Sequence, residues 1–202
     1  MDMRFFVLIG LAALWWLARN FEQRQRIVQL SQALGRYEIE KLMETVMDGY
    51  LRAMGEAAAD RREQVLAYLR PLEHKLCQQL AALAADVATQ PAAVWRISRV
   101  PVALPYATQW LSGLTVDARE LLALHAKGLG QVIDNQTGRS ERERAYMACA
   151  ELLLLQHTCH WFCRSRSIAS ARLMARHQTR YAQVVASVSP ATRSAYAAAL
   201  AA

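Results

Sequence analysis

The chain has 202 residues, 54% of them hydrophobic, with 8 Gly and 5 Pro, so it is long enough to bury a core and too apolar to be disordered or collagen-like. Four cysteines are too few for a disulfide scaffold. The formal charge is +7, from 24 bases (21 Arg, 3 Lys) against 17 acids, and no Asp or Glu follows Glu151, which leaves residues 1–151 near neutrality.

The chain opens on Phe5–Ala18, FFVLIGLAALWWLA, an uncharged run between Arg4 and Arg19. As a helix it spans roughly 21 Å, short of the ~30 Å hydrocarbon core. Met1, Met3, snorkelling arginines and local bilayer thinning reduce that deficit. Trp15 and Trp16, followed by Arg19, suit a membrane-interface belt. Cleavage as a signal peptide is disfavoured, because the best exit, Trp16-Leu17-Ala18, puts Trp where a small residue is required. A buried helix of a soluble domain is the other alternative. The reading adopted is an uncleaved anchor over residues 1–19. One arginine precedes it, whereas Arg19, Arg24, Arg26 and Arg36 follow. The positive-inside bias then puts the body on the cytoplasmic side of a bacterial inner membrane, with a periplasmic body as the alternative.

Residues 20–89 carry helical periodicity. Ile27, Leu30 and Leu34 begin a stripe that continues through Ile39, Leu42, Met43, Val46, Met47, Tyr50 and Met54. Glu38, Glu40, Lys41, Glu44, Asp48 and Arg52 form its solvated face. Asp60, with Glu63 three residues on, is the expected cap of a second helix, whose stripe is Val65, Leu69, Leu72, Leu76, Leu80, Leu83 and Val87 and which Pro71 is expected to kink. A short connector makes the two helices an antiparallel hairpin.

Residues 90–116 break the pattern with Pro91, Pro101, Pro105 and Gly113. Alternation from Val94 to Val100 suits one short strand, but no second run is evident to pair with it. An extended linker is expected, with Trp95, Tyr106 and Trp110 as packing or interfacial anchors and with Trp95 and Trp110 exposed for partner contacts. Residues 117–188 resume as helix, opened by an Asp117…Glu120 cap, interrupted at Asp134–Gly138, and reopened at Ser140 for a long, almost wholly apolar central helix. Pro190 is expected to end the helical pattern, leaving 189–202 as an Ala-rich tail. The fold class is all-α: an anchor helix, a long hairpin and a second helical half.

Two His-x-x-Cys pairs carry the clearest chemical signal. His74 with Cys77, and His160 with Cys163, each share a helical face, and opposed across a bundle they would supply a His₂Cys₂ set for zinc; a haem is the other cofactor of that class. The competing reading, and the preferred one, is that the cysteines pack as small hydrophobes, with no cofactor. A Cys77–Cys163 disulfide is a third. Phosphate loops, dinucleotide fingerprints, nucleophile elbows and zincin signatures are absent from the sequence, and nothing in it names an enzyme.

Arg164, Arg166, Arg172, Arg176 and Arg180 mark the acid-free end, the last three at four-residue spacing. They suit a solvated basic face, anionic lipid or an acidic protein surface; nucleic acid is a weaker fit without aromatic interleaving. The function expected is that of a membrane-anchored helical scaffold or assembly subunit of a larger secretion, conjugation or envelope complex, contacting other protein subunits. A helical metal or haem protein and a nucleic-acid-binding accessory factor are the alternatives.

Overall fold

A computed structural model describes residues 3–201. The first helix, α1 (Met3–Leu34), runs without a break through the apolar segment and on into the body. It is continuous because no Pro or Gly interrupts it between Gly10 and the turn at Gly35, whose amide donates to Ser31 O at 2.8 Å. The stripe from Ile27 to Met54 is therefore two helices, not one: α2 (Ile39–Gly55) starts afresh after the turn.

α2 and α3 (Ala59–Ala88) form the antiparallel hairpin that the apolar stripes predict. Near the connector Gly49 faces Leu69; at the open end the amide of Glu38 donates to Gln79 Oε1. At Gly49 the helices approach so closely that a Cβ would lie 2.4 Å from Leu69 Cδ2. Asp60 is not the cap: α3 begins one residue earlier, and Glu56 Oε1 accepts from Ala58 N at 3.1 Å instead. Asp60 sits in the first turn, where its charge favours the helix N-terminus. Pro71 falls inside α3 without ending it.

The linker corrects two expectations. Strand β1 (Arg96–Ser98) does find a partner in β2 (Thr115–Asp117), antiparallel, with Ile97 opposite Val116. Three residues carry too little alternation to be seen as a strand in sequence, and Asp117 serves twice, because its carboxylate also caps α5 (Ala118–Asp134) by accepting from Arg119 N at 2.9 Å. Trp95 is only 1% exposed, stacked on Phe162 with centroids 4.9 Å apart and donating from Nε1 to Gln90 Oε1. Trp110, at the end of the four-residue α4 (Ala107–Trp110), is 81% exposed.

α6 (Glu141–Cys163) is the central helix, opened by a reciprocal Ser140–Glu143 capping box and packed against α1, α2, α5, α7 and α8. Leu152, Leu154, Leu155, Trp161 and Phe162 are buried in the core. The Pro-free stretch from Ser140 is three helices rather than one, two shorter helices following α6. Ser165 caps α7 (Arg166–His177), Gln178 turns left-handed at φ 50°, and α8 (Tyr181–Ser187) follows. Pro190 does not end the helical pattern: it starts α9 (Pro190–Ala201), which buries Thr192 and Tyr196. The first turn of a helix tolerates proline because the N–H there has no intrahelical partner. The fold is all-α, with one two-stranded ribbon as its only sheet among the described residues.

Candidate functional site

Two features of the surface stand out. The first is the outer half of α1. Residues 3–17 are all exposed, and an 18-residue window with a mean hydropathy of 1.3 has no part buried against the rest of the chain. This helix is long and apolar enough to cross a membrane. Within the described chain the segment is not a buried core helix. Trp15 and Trp16 are exposed at its inner end, and the Arg19 guanidinium lies 5.4 Å from the Trp15 ring centroid.

The second is a groove of about 1000 Å³ between α1–α2 and α6–α7. Its floor is apolar: Leu30 and Leu34 of α1, Met43 and Met47 of α2, Leu80 and Leu83 of α3, and Leu155, Cys159 and Cys163 of α6. One wall carries Glu40, Glu44 and Asp48, successive turns of the exposed edge of α2. The opposite wall carries Arg172 and Arg176, one turn apart on α7, and His160 and His177 also line the groove. Glu40, Glu44, Asp48, Arg172 and Arg176 make no ion pair among the described residues.

The groups on the floor are neutral. Burial pushes the Cys159 thiol up to about 12 and the Cys163 thiol up to about 11, so neither forms a thiolate near pH 7. Burial, then Arg172 and Arg176, hold the His160 imidazole below its ordinary value. His177 Nε2 is 3.0 Å from Gln156 Oε1, and its pKa is lowered by burial and by Arg176. The groove is thus apolar on its floor and lined by charges of opposite sign from α2 and α7.

The two His–Cys pairs are not brought together. His160 and Cys163 lie in the groove. His74 is exposed on α3, with Nδ1 2.8 Å from Arg70 O, and Cys77 packs against the core, its thiol pushed up to about 12 by burial. Among the described residues no three His, Cys, Asp or Glu side chains gather in a group that could hold a metal ion, and all four cysteines, Cys77 and Cys163 among them, are free thiols.

The five arginines of the acid-free end are divided. Arg172 and Arg176 face the groove, and Arg164, donating to Gln23 Oε1, borders it. Arg166 lies over the Trp161 and Tyr181 rings at 6.0 and 5.9 Å, and Arg180 stands at the N-cap of α8, off the α7 edge. The acidic rim is what the sequence did not single out: Glu40, Glu44 and Asp48 read as a solvated face, and their four-residue spacing was the available signal. No known protein family, curated protein or solved structure matches the chain.

Proposed function

We propose that this chain is a membrane-anchored helical adaptor within a larger assembly, holding an amphipathic helix of a partner subunit in the groove between α1–α2 and α6–α7. The observation that carries the reading is the pair of unpaired, oppositely charged rims over one apolar floor. A helix with an apolar face, acidic residues toward Arg172 and Arg176 and basic residues toward Glu40, Glu44 and Asp48 complements all three surfaces at once. Met43 and Met47 suit such a floor, since thioether side chains adapt to the knobs of an incoming helix. The exposed apolar half of α1 supports the anchor, and the arginines after it support a body on the cytoplasmic side.

A photo-crosslinking amino acid at position 43 or 47, in membranes of the native host, tests the reading. One partner subunit should be captured through a single helical segment. Capture should fall about tenfold in an Arg172→Glu/Arg176→Glu variant and return when the acidic residues of that segment are reversed. Crosslinks only to a second copy of the chain, or crosslinks indifferent to both reversals, would overturn it.

A further inference from the structure

Where α1 leaves the body, a small notch of about 30 Å³ is lined by Arg19, Gln23 and Arg26 of α1, by Val102, Leu104 and Thr108 of the linker, and by Arg164 at the end of α6. Its charges separate into a spent pair and a free pair. Glu22 Oε1 takes the Arg26 guanidinium at 3.1 Å, and Oε2 accepts from Tyr106 N at 2.7 Å. Arg26 spends its remaining donors on Arg96 O, Phe162 O and Thr108 Oγ1. This neutral unit fastens the linker to α1. Arg19 and Arg164 remain, without a carboxylate partner among the described residues.

The donors left over point to a ligand. Gln23 is 5% exposed; its Oε1 is held by Arg164, and its Nε2 is buried with no acceptor among the described residues. The Nε of Arg19 is buried and unmatched in the same way. Buried donors without partners are rare in native proteins because each costs about 1–3 kcal/mol. The unmatched Gln23 amide and the guanidinium groups of Arg19 and Arg164, neither with a carboxylate partner among the described residues, form a receptor for a compact anion. By volume the notch takes about two water-sized groups, the scale of phosphate oxygens rather than of a metabolite.

The surroundings say where that anion comes from. The fully exposed apolar run of α1 ends at Leu17, two residues before Arg19. The linker segment that closes the notch exposes Val102, Leu104, Trp110, Leu111 and Leu114. A body resting on the bilayer beside its own anchor would put these side chains at the interface and the two arginines at phosphate depth.

We propose that Arg19, Gln23 and Arg164 bind one phosphate group at the foot of the anchor, supplied by an anionic phospholipid headgroup. The lipid source rests on the anchor reading; the phosphate chemistry does not.

The test uses the full chain in nanodiscs of phosphatidylcholine alone and of phosphatidylcholine with phosphatidylglycerol, and in lipid-free detergent with and without millimolar inorganic phosphate. Hydrogen exchange over residues 19–26 and 98–108 and native mass spectrometry of the released chain are the readouts. Phosphatidylglycerol should slow exchange in both segments and leave one lipid bound, with about tenfold weaker retention in an Arg19→Gln/Arg164→Gln variant and a smaller loss in Arg19→Lys/Arg164→Lys, which keeps the charges but not the Arg19 Nε donor. Gln23→Leu, which keeps both charges, should weaken retention without changing the helical circular dichroism. Protection by inorganic phosphate and not by phosphatidylglycerol overturns the lipid source. No response to either, or an equal response in Arg19→Gln/Arg164→Gln, overturns the site. Failure of the chain to enter phosphatidylcholine nanodiscs at all overturns the anchor instead.

Discussion

Arg144 of α6 and Glu73 of α3 meet inside the protein with Nη1 2.7 Å from Oε2, the two side chains 5% and 1% exposed. Tyr50 Oη donates to Glu73 Oε1 at 2.6 Å, and the Arg144 Nη2 reaches outward to Glu141 Oε2 at 3.0 Å. Burial and the neighbouring carboxylate push the Tyr50 phenol far up, so it stays a donor at every physiological pH. The cluster ties three helices together through one buried charge pair.

Removing Glu73 leaves the buried Arg144 guanidinium with only the half-exposed Glu141 as a counter-charge. Glu73→Ala should therefore destabilise the chain by about 3–5 kcal/mol in urea unfolding. A Glu73→Leu/Arg144→Met double variant should recover most of that loss, because the cost lies in the orphaned charge rather than in the missing attraction. A double variant as unstable as Glu73→Ala would show that the pair itself is the source of stability.

Gly49 faces the core residue Leu69, which is 1% exposed and whose branch atoms would lie within 3.0 Å of an added Cβ. Gly49→Ala gains up to about 1 kcal/mol of helix propensity but forces the α2–α3 contact apart. The net effect should be a loss of about 1–2 kcal/mol in thermal or urea unfolding, larger for Gly49→Val. The same change at Gly10, which has open space around it, should not lower stability.

Two buried imidazoles set the acid side of the stability profile. Burial, then His157, lowers His125 to about 3, and burial, then Arg166 and His160, lowers His157 to about 4. The unfolded chain binds these protons near pH 6.5, so stability is full above that value. It should fall by up to about 1.4 kcal/mol per pH unit per ring as pH drops toward 4. Urea titrations across pH 4–7 check this, and a His157→Asn variant should show the shallower slope. Glu151 acts in the opposite direction. It is buried, takes Ser189 N at 3.0 Å on Oε1, and has no cation beside it; burial raises its pKa. Its contribution is greatest below the ordinary carboxylate range and is lost as pH rises through the raised value. Glu151→Gln should accordingly raise the melting temperature at pH 7 to 8 and do less near pH 4.

The outer half of α1 should hold the full chain in the membrane pellet through carbonate washing. An arginine at the centre of a spanning helix costs about 2.5–3.5 kcal/mol. A Leu8→Arg/Leu11→Arg variant should therefore move into the soluble fraction with its body still folded by circular dichroism. Retention of that variant would mean that the body, not α1, holds the chain.

Local features were legible from the residues alone. The 3- and 4-residue apolar steps located α2 and α3, an almost wholly apolar run located the central α6, and the Asp117 and Ser140 caps are set by neighbours two or three residues away. The uncharged run at Phe5–Ala18 showed where an unpartnered helix would stand. Each of these depends on contacts within one helical turn or on composition, which sequence order preserves. What required the fold is whatever joins distant segments. β1 and β2 pair across the linker; Trp95 is buried because Phe162 stacks on it; Arg144 finds Glu73 from 71 residues away and Arg164 finds Gln23 from 141. Glu40, Glu44 and Asp48 looked like ordinary solvated charge until α7 set Arg172 and Arg176 across from them. A charge in sequence has only its helix as context. Its partner, its burial and its freedom to bind are decided when the other helices pack, because electrostatic and packing energies depend on distance in space.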